Sequence, residues 1–325
     1  MQTPDNFQQI VAAYILEKRA LGFKFDKAAQ VLRRVVALQM QLDKGAPLLS
    51  RETVERWIEK TSWESEVNRS HRIGIVRGLG KYMIRMGYPA YVVPDRFAPV
   101  REYMYVPYIF SDKELGLLLT RVDAICKNSP SDHVRLVFPL LFRILVGCGL
   151  RITEALSIEK QDVDLKNGTL LLLNTKDEKE RIVPLADSLC EACRKYAFSI
   201  QFVRGANESQ YFFPNPEGKA YVAHTAYTRF RQALRLAGIS HGGRGRGPRL
   251  HDLRHTYAVR VLNKWVGEGK NLTTALPYLS VYMGHVGLKA TQHYLRLTAE
   301  MFPELIKTAE EAYGWVIPEA YHEGD

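Results

Sequence analysis

Five polar side chains in the last 175 positions of the chain are of the types that phosphodiester chemistry requires. They comprise two arginines, two histidines and one tyrosine: Arg151, Arg254, His251, His285 and Tyr294. A guanidinium is planar, permanently charged and able to grip a phosphate through two parallel hydrogen bonds. Imidazoles exchange protons near neutral pH, and a phenol becomes a nucleophile beside a base. The set predicts a pocket that holds a phosphodiester and attacks it without a metal ion.

Tyr294 is the predicted nucleophile, and its ordinary pKa of about 10 means that it needs a base or a cationic pocket. Tyr257, Tyr278 and Tyr282 lie nearby in the sequence and are alternatives. Attack by a tyrosine would keep the energy of the broken bond in a phosphotyrosine ester, so that rejoining needs no cofactor. No carboxylate cluster at metal-ligand spacing stands out in the sequence, and we expect neither a metal nor any other cofactor.

Length and composition indicate a soluble protein with room for two domains. The chain has 325 residues, of which 46% are hydrophobic and 25% charged, and its net charge of +10 favours a polyanionic partner. No apolar run is long enough to span a membrane, and no signal-peptide pattern opens the chain. Cys190 and Cys193 form a lone C-x-x-C, which favours plain thiols over a zinc site. We expect a cytoplasmic, nucleoid-associated protein.

The elements that must position these side chains fall into two predicted domains. In residues 1–87, apolar positions at helical spacing predict four helices. The fourth, from about 66 to 86, carries a predicted exposed basic stripe, interpreted as a DNA-binding face with a merely solvated face as the alternative. The DNA-binding candidates on it are Arg69, Arg72, Arg77 and Lys81. Residues 88–110 contain four prolines and predict a linker.

The second predicted domain covers residues 111–325 and is mainly α-helical with a small β-sheet. It opens with a capping-box pattern at Ser111. Two extended runs, 169–174 and 181–185, flank a charged tip and predict a β-hairpin. The remaining helices are predicted at about 131–146, 187–199, 223–237, 251–266, 273–283, 288–297 and 299–313. A loop at 241–249 rich in glycine and arginine is interpreted as a DNA contact, with a merely solvated loop as the alternative; its candidates are Arg244, Arg246 and Arg249.

Seven positions resemble, in their order and separations, the signature of the tyrosine recombinase, or phage integrase, family. The motifs on which this resemblance rests are Gly-Leu-Arg-Ile-Thr-Glu, a lysine before Arg-Ile-Val-Pro-Leu, His-Asp-Leu-Arg-His, Met-Gly-His, and the tyrosine of His-Tyr-Leu-Arg. Their signature residues are Arg151, Glu154, Lys176, His251, Arg254, His285 and Tyr294. The resemblance covers about residues 108–300. It implies an α+β tyrosine-recombinase catalytic domain preceded by a helical core-binding domain.

The resemblance also implies a role for each signature residue. Tyr294 would cleave DNA to leave a 3′-phosphotyrosine and a free 5′ hydroxyl. Lys176 would be the general acid, with Lys179 on the same tip as an alternative, and His251 the general base. Glu154 would order the site. The phosphate would be held by Arg151, Arg254 and His285.

As partners, the resemblance implies double-stranded DNA recombination sites clamped between the two domains. Four protomers would exchange strands through a Holliday junction as a homo-tetramer, from a monomer or weak dimer free of DNA, with or without an accessory protein. A C-terminal helix at about 299–313 would dock on a neighbour. We expect integration, excision or transposition of a mobile element. The alternatives are Xer-like chromosome or plasmid resolution, a type IB topoisomerase-like enzyme, and a regulator that has lost catalysis.

Overall fold

The computed structural model describes residues 6–97, 106–173, 180–242 and 247–284. Backbone contacts divide the chain into two compact units, Met1–Tyr105 and Val106–Asp325. Several predicted features lie outside the described residues and stay predictions. They are Lys176, Lys179, Arg244, Arg246, His285, Tyr294 and the helices at 288–297 and 299–313.

The first unit contains the four predicted helices, arranged around one apolar core. They are α1 (Phe7–Ala20), α2 (Asp26–Asp43), α3 (Arg51–Ile58) and α4 (Glu66–Arg85). Side chains of Asn6, Ser50 and Ser65 accept backbone N–H groups at the starts of α1, α3 and α4, which satisfies donors that a helix leaves unpaired. The core is built from apolar residues that recur at helical spacing, including Phe7, Ile10, Leu32, Val54, Ile73 and Leu79.

Part of the predicted linker is folded onto this first unit. The Leu49 amide donates to Pro89 O at 3.0 Å, and the Tyr91 amide donates back to Leu49 O at 2.8 Å. Val93 is buried in the helical core. Prolines therefore do not mark the start of a flexible segment here, because the residues between them carry apolar side chains that the core accepts.

The basic stripe of α4 is less exposed than its spacing predicts, and for three residues the expectation of exposure is wrong. Arg72 pairs with Glu64 at 2.8 Å and its side chain is 14% exposed. Arg69 and Arg77 each donate through Nε to a backbone carbonyl, at 2.9 and 2.8 Å. Lys81 does face solvent. Helical spacing identifies the face of a helix, but it does not show which carbonyls a long side chain can reach.

The second unit combines seven helices with a small antiparallel sheet in its described part. The helices are α5 (Asp112–Lys127), α6 (Asp132–Cys148), α7 (Ile152–Leu156), α8 (Asp187–Ile200), α9 (Ala223–Leu236), α10 (Asp252–Gly267) and α11 (Leu272–Met283). The strands are β1 (Val163–Asp164), β2 (Thr169–Leu172) and β3 (Arg181–Pro184), in the order β1-β2-β3. The predicted hairpin is thus present, with Leu172 paired to Arg181 next to the segment that connects the two strands. The strand β1, with two residues, is too short for the alternation of apolar and polar side chains by which a strand is recognised in a sequence.

Two apolar clusters hold the elements that carry the site. The larger surrounds α6, whose Phe138, Leu141 and Phe142 are fully covered. The smaller joins α10 to α11 and contains Leu262 and Met283. The Ser111 capping box is present at the start of α5. Within the described ranges, no helix is long and apolar enough to cross a membrane, and no cluster of His, Cys, Asp and Glu could hold a metal ion.

Candidate active site

A buried carboxylate, Glu154, joins three arginines from distant parts of the chain. Its side chain is 5% exposed. Arg151 Nη1 donates to Glu154 Oε1 at 2.7 Å, and Arg181 Nη2 donates to Glu154 Oε2 at 2.8 Å. Arg254 Nη1 lies 3.8 Å from the same Oε2. Arg151 and Arg254, which the sequence predicts to hold one phosphate, therefore lie around a single acidic group.

The turn between α6 and α7 explains how Glu154 reaches this position. Glu154 is the third residue of α7, and its Oε2 accepts the Arg151 amide at 2.9 Å, which fixes the start of the helix. Gly149 ends α6 with a φ of +62°, a left-handed conformation that favours glycine. A Cβ at this position would also lie 2.5 Å from the Tyr257 ring. The turn thus brings the backbone of α6 directly against α10.

Both predicted arginines also hold the end of α11, the helix that immediately precedes His285. Arg254 has a 2% exposed side chain and donates to Gly149 O at 2.9 Å and to Met283 O. Arg151 Nη2 donates to Gly284 O at 2.9 Å. The last described residue before His285 is therefore bonded to the arginine pocket.

His251 lies beside the arginines at the N-terminal end of α10, where part of its surface reaches solvent. Desolvation by the surrounding protein, followed by the charges of Arg254 and Arg151, lowers the pKa of His251 to about 4. Its ring meets that of His255 edge-on at 4.9 Å between centroids. An imidazole with this pKa is neutral at pH 7, which is the form that accepts a proton.

The pKa of His251 gives a prediction that NMR can check. We expect the His251 ring protons to titrate near pH 4, well below the ordinary value of 6.5. In Arg151→Ala this pKa should rise, because a nearby positive charge that disfavours the imidazolium is removed. His251→Gln supplies the resonance assignment. A midpoint near 6.5 in the unmodified protein, or no change in Arg151→Ala, would contradict the prediction.

Glu154 remains ionised because its partners outweigh the cost of its burial. Burial raises the pKa of Glu154, while the hydrogen bonds and charge of Arg181 and the hydrogen bonds of Arg151 lower it to about 2. A buried carboxylate that meets several guanidiniums offsets charges that would otherwise repel one another. Glu154 is therefore suited to the supporting role that the sequence predicts for it.

Replacing Glu154 by glutamine tests this balance of charges. We expect Glu154→Gln to lower the free energy of unfolding by about 3 kcal/mol, because it leaves buried guanidiniums without their counter-charge. The matched control is Asp123→Asn, which breaks the partly exposed Arg143–Asp123 pair of the same unit, 2.7 Å long. That change should cost less than about 1 kcal/mol. Equal losses for the two variants in chemical denaturation would count against a central role for Glu154.

Arg181 is the one member of this cluster that the sequence prediction did not include. It opens β3, where Arg181 and Val183 are buried and Ile182 and Pro184 are exposed. A signal was present in the sequence, since Arg181 shares the inward face of the strand with Val183 and Leu185. A charged residue on the apolar face of a strand requires a buried partner.

Of the predicted loop arginines, Arg249 is described and exposed. Its amide donates to Asp252 Oδ2 at 2.7 Å, which ties the end of the loop to the first turn of α10. Contact of Arg249 with DNA stays a prediction. Cys190 and Cys193, the two residues of the C-x-x-C, are buried thiols in α8.

Comparisons with known proteins agree with this arrangement. A model of the phage integrase family matches residues 117–301. Two curated proteins of Sinorhizobium fredii are similar over nearly the whole chain. "Putative integrase/recombinase y4rB" is 28% identical over 94% of this chain and 98% of its own, and "Putative integrase/recombinase y4rE" is 30% identical over 93% and 94%.

A solved structure supports the fold. The XerH site-specific recombinase, bound to a palindromic difH substrate in a post-cleavage complex, superposes with a TM-score of 0.60. The match covers 82% of this chain and 71% of that one at 21% identity. The mainly α-helical fold with a small sheet, predicted from the sequence, is thus confirmed.

Proposed function

This chain belongs to the phage integrase family and is a tyrosine-type site-specific recombinase, a DNA strand transferase; on that premise we propose that it cleaves DNA through a 3′-phosphotyrosine intermediate. The phosphate to be cut lies in the pocket around Glu154. Arg151 and Arg254 neutralise its non-bridging oxygens, and His285 donates a further hydrogen bond. Fixed cationic donors at these oxygens stabilise the charge that develops during attack on phosphorus.

Two proton transfers accompany the proposed cleavage. The Tyr294 oxygen attacks phosphorus while His251, neutral at pH 7, accepts the phenolic proton. The bond between phosphorus and the 5′ oxygen breaks, and Lys176 donates a proton to that oxygen as it leaves. The products are a 3′-phosphotyrosine and a free 5′ hydroxyl. Attack by another 5′ hydroxyl reverses these steps, so that strand joining consumes no cofactor.

One observation carries the proposal: Arg151 and Arg254 lie around a single carboxylate, and both donate to the backbone just before His285. These residues come from three separate motifs, and Arg151 and Arg254 are more than a hundred positions apart. The contacts of Arg151 with Gly284 O and of Arg254 with Met283 O join the three segments directly. Pockets of this composition fit a phosphodiester, because each guanidinium matches the geometry of phosphate oxygens.

At the level of the whole protein, we assign residues 1–87 to a core-binding domain, 88–110 to a linker and 111–325 to the catalytic domain. Four protomers act on two double-stranded DNA sites through a Holliday junction. The predicted DNA contacts on the first domain include the exposed Lys81, while those of the second come from the loop that contains Arg249. This assembly is part of the proposal and rests on the family.

The biological role that we favour is integration, excision or transposition of a mobile element. Two relatives that match over more than nine tenths of this chain are named integrase/recombinase. Resolution of chromosomes or plasmids, the Xer-like role, remains the alternative because XerH shares the fold. The two roles differ in their DNA sites, which an experiment can identify.

Covalent capture on DNA tests the proposed function. The purified chain is incubated with fragmented genomic DNA and denatured, and the ends that remain attached to protein are sequenced. We expect attachment at DNA 3′ ends, at a small number of sites, and no inhibition by EDTA. Attachment to 5′ ends, or loss of the adduct in EDTA, would contradict the proposed chemistry. Sites at the ends of a mobile element would favour that role over resolution.

A further inference from the structure

Arg181 touches two of the groups that shape the pocket without reaching its surface. We propose that Arg181 is a positioning residue, which holds Glu154, and through it Arg151 and the backbone before His285, in the geometry that binds the scissile phosphate. The inference rests on the proposed function, since it assigns a role within that same pocket.

The first support is the shared use of the Glu154 carboxylate. Arg181 approaches both oxygens, with Nη2 2.8 Å from Oε2 and Nη1 3.2 Å from Oε1. Arg151 bonds to the same two oxygens, through its amide and its own Nη1. A carboxylate gripped from both sides cannot rotate without breaking bonds to both arginines. Arg181 therefore sets the direction from which Glu154 holds the Arg151 guanidinium.

The second support is the packing of Arg181 against Gly284. A Cβ built on Gly284 would lie 2.8 Å from Arg181 Nη1 and 3.2 Å from its Cζ. The carbonyl of the same glycine accepts from Arg151 Nη2 at 2.9 Å. Gly284, with a φ of +61°, is thus enclosed by two guanidiniums at the point where the chain continues to His285. A side chain at position 284 would have to displace the end of the Arg181 side chain, and the positive φ itself favours glycine there.

The third support is the place of Arg181 in the hairpin. Arg181 pairs with Leu172 at the end of the β2–β3 ladder that adjoins the connecting segment. The predicted general acid, Lys176, belongs to the segment that connects these two strands. One side chain therefore anchors the base of that connection to the carboxylate that holds Arg151.

Burial separates this role from direct binding of DNA. The Arg181 side chain is 5% exposed, and both of its Nη atoms face Glu154. Arg151 is more accessible, with 19% of its side chain exposed. Arg181 thus affects the bound phosphate indirectly, by holding Glu154 and therefore the Arg151 guanidinium in place.

A comparison of two DNA linkages tests the inference. The duplex carries a cleavage site recovered by covalent capture, with either the normal phosphodiester or a methylphosphonate at the scissile position. A methylphosphonate replaces one charged oxygen by a methyl group and is neutral, so its cleavage depends less on a well-placed cationic clamp. We expect Arg181→Met to slow phosphodiester cleavage roughly 100-fold and methylphosphonate cleavage less than about 10-fold. Arg181→Lys should fall between Arg181→Met and the unmodified enzyme.

The ratio of the two rates does not depend on how much of a variant is folded, because both substrates meet the same preparation. Arg143→Met is the matched control: it removes an arginine that pairs with Asp123 in the same unit and should leave the ratio unchanged. Equal slowing of both linkages in Arg181→Met would overturn the inference and indicate a purely structural residue. Absence of cleavage by the unmodified enzyme would instead count against the proposed function.

Discussion

Replacing Tyr294 by phenylalanine is expected to abolish the covalent protein–DNA adduct and leave DNA affinity nearly unchanged. The substitution removes one hydroxyl oxygen, which is the atom proposed to attack phosphorus. Loss of a covalent nucleophile slows an enzyme by roughly 10⁴-fold or more. DNA binding should persist, because it depends mainly on cationic groups that contact phosphates. Denaturing gels with labelled DNA measure the adduct, and mobility-shift assays measure the affinity.

The three other tyrosines named as alternatives differ in their suitability as nucleophiles. Tyr257 and Tyr282 stack on each other with 5.5 Å between ring centroids, and burial raises the pKa of both. The Tyr282 hydroxyl donates to Cys148 O at 3.1 Å. A phenol that is harder to ionise and already bonded to a carbonyl is a poor nucleophile.

Tyr278 is the appropriate control for the Tyr294 substitution. It lies on α11 and is 75% exposed. Tyr278→Phe should form the adduct at a normal rate. An adduct that survives in Tyr294→Phe and disappears in Tyr278→Phe would instead identify Tyr278, on α11, as the nucleophile.

The sequence predicted the helices well because their apolar spacing and their caps agree. Ser50 and Ser111 each precede a helix and accept a backbone amide as their type predicts. The α10 and α11 helices were also predicted within about two residues of their ends. Such features are local, so that a single segment contains all the information needed.

Contacts between segments were harder to predict. The involvement of Arg181 depends on a carboxylate 27 positions earlier, and the two meet only when β3 packs beside α7. The expected exposure of Arg69, Arg72 and Arg77 on α4 was wrong for the same reason; Arg77, for example, bonds to carbonyls that follow the helix. Arg151 and Arg254 were selected from the sequence by the chemistry of their side chains, and the resemblance to a family then implied that they share one site.

Removal of either predicted phosphate-binding arginine is expected to slow cleavage by roughly 10²-fold or more, the scale on which losing one transition-state donor acts. Arg151→Ala is the cleaner test, because part of its side chain is exposed and its loss leaves Glu154 bonded to Arg181. Arg254 is nearly completely buried, so Arg254→Lys, which keeps the charge but not the planar fork, is the better variant there. Single-turnover cleavage rates at saturating enzyme separate this effect from weaker DNA binding.

The double variant is the stronger test of whether both arginines act on the same phosphate. If both arginines act on one phosphate and share Glu154, their effects should not multiply, and Arg151→Ala with Arg254→Lys should be less than about 10⁴-fold slower than the unmodified enzyme. Independent sites would give the full product of the two losses. Near-normal rates in both single variants and in the double variant would exclude the guanidinium pocket as the phosphate site, whatever the role of Tyr294. A loss confined to the double variant would indicate that one arginine can replace the other, which the separate contacts of Arg151 with Gly284 and of Arg254 with Met283 argue against.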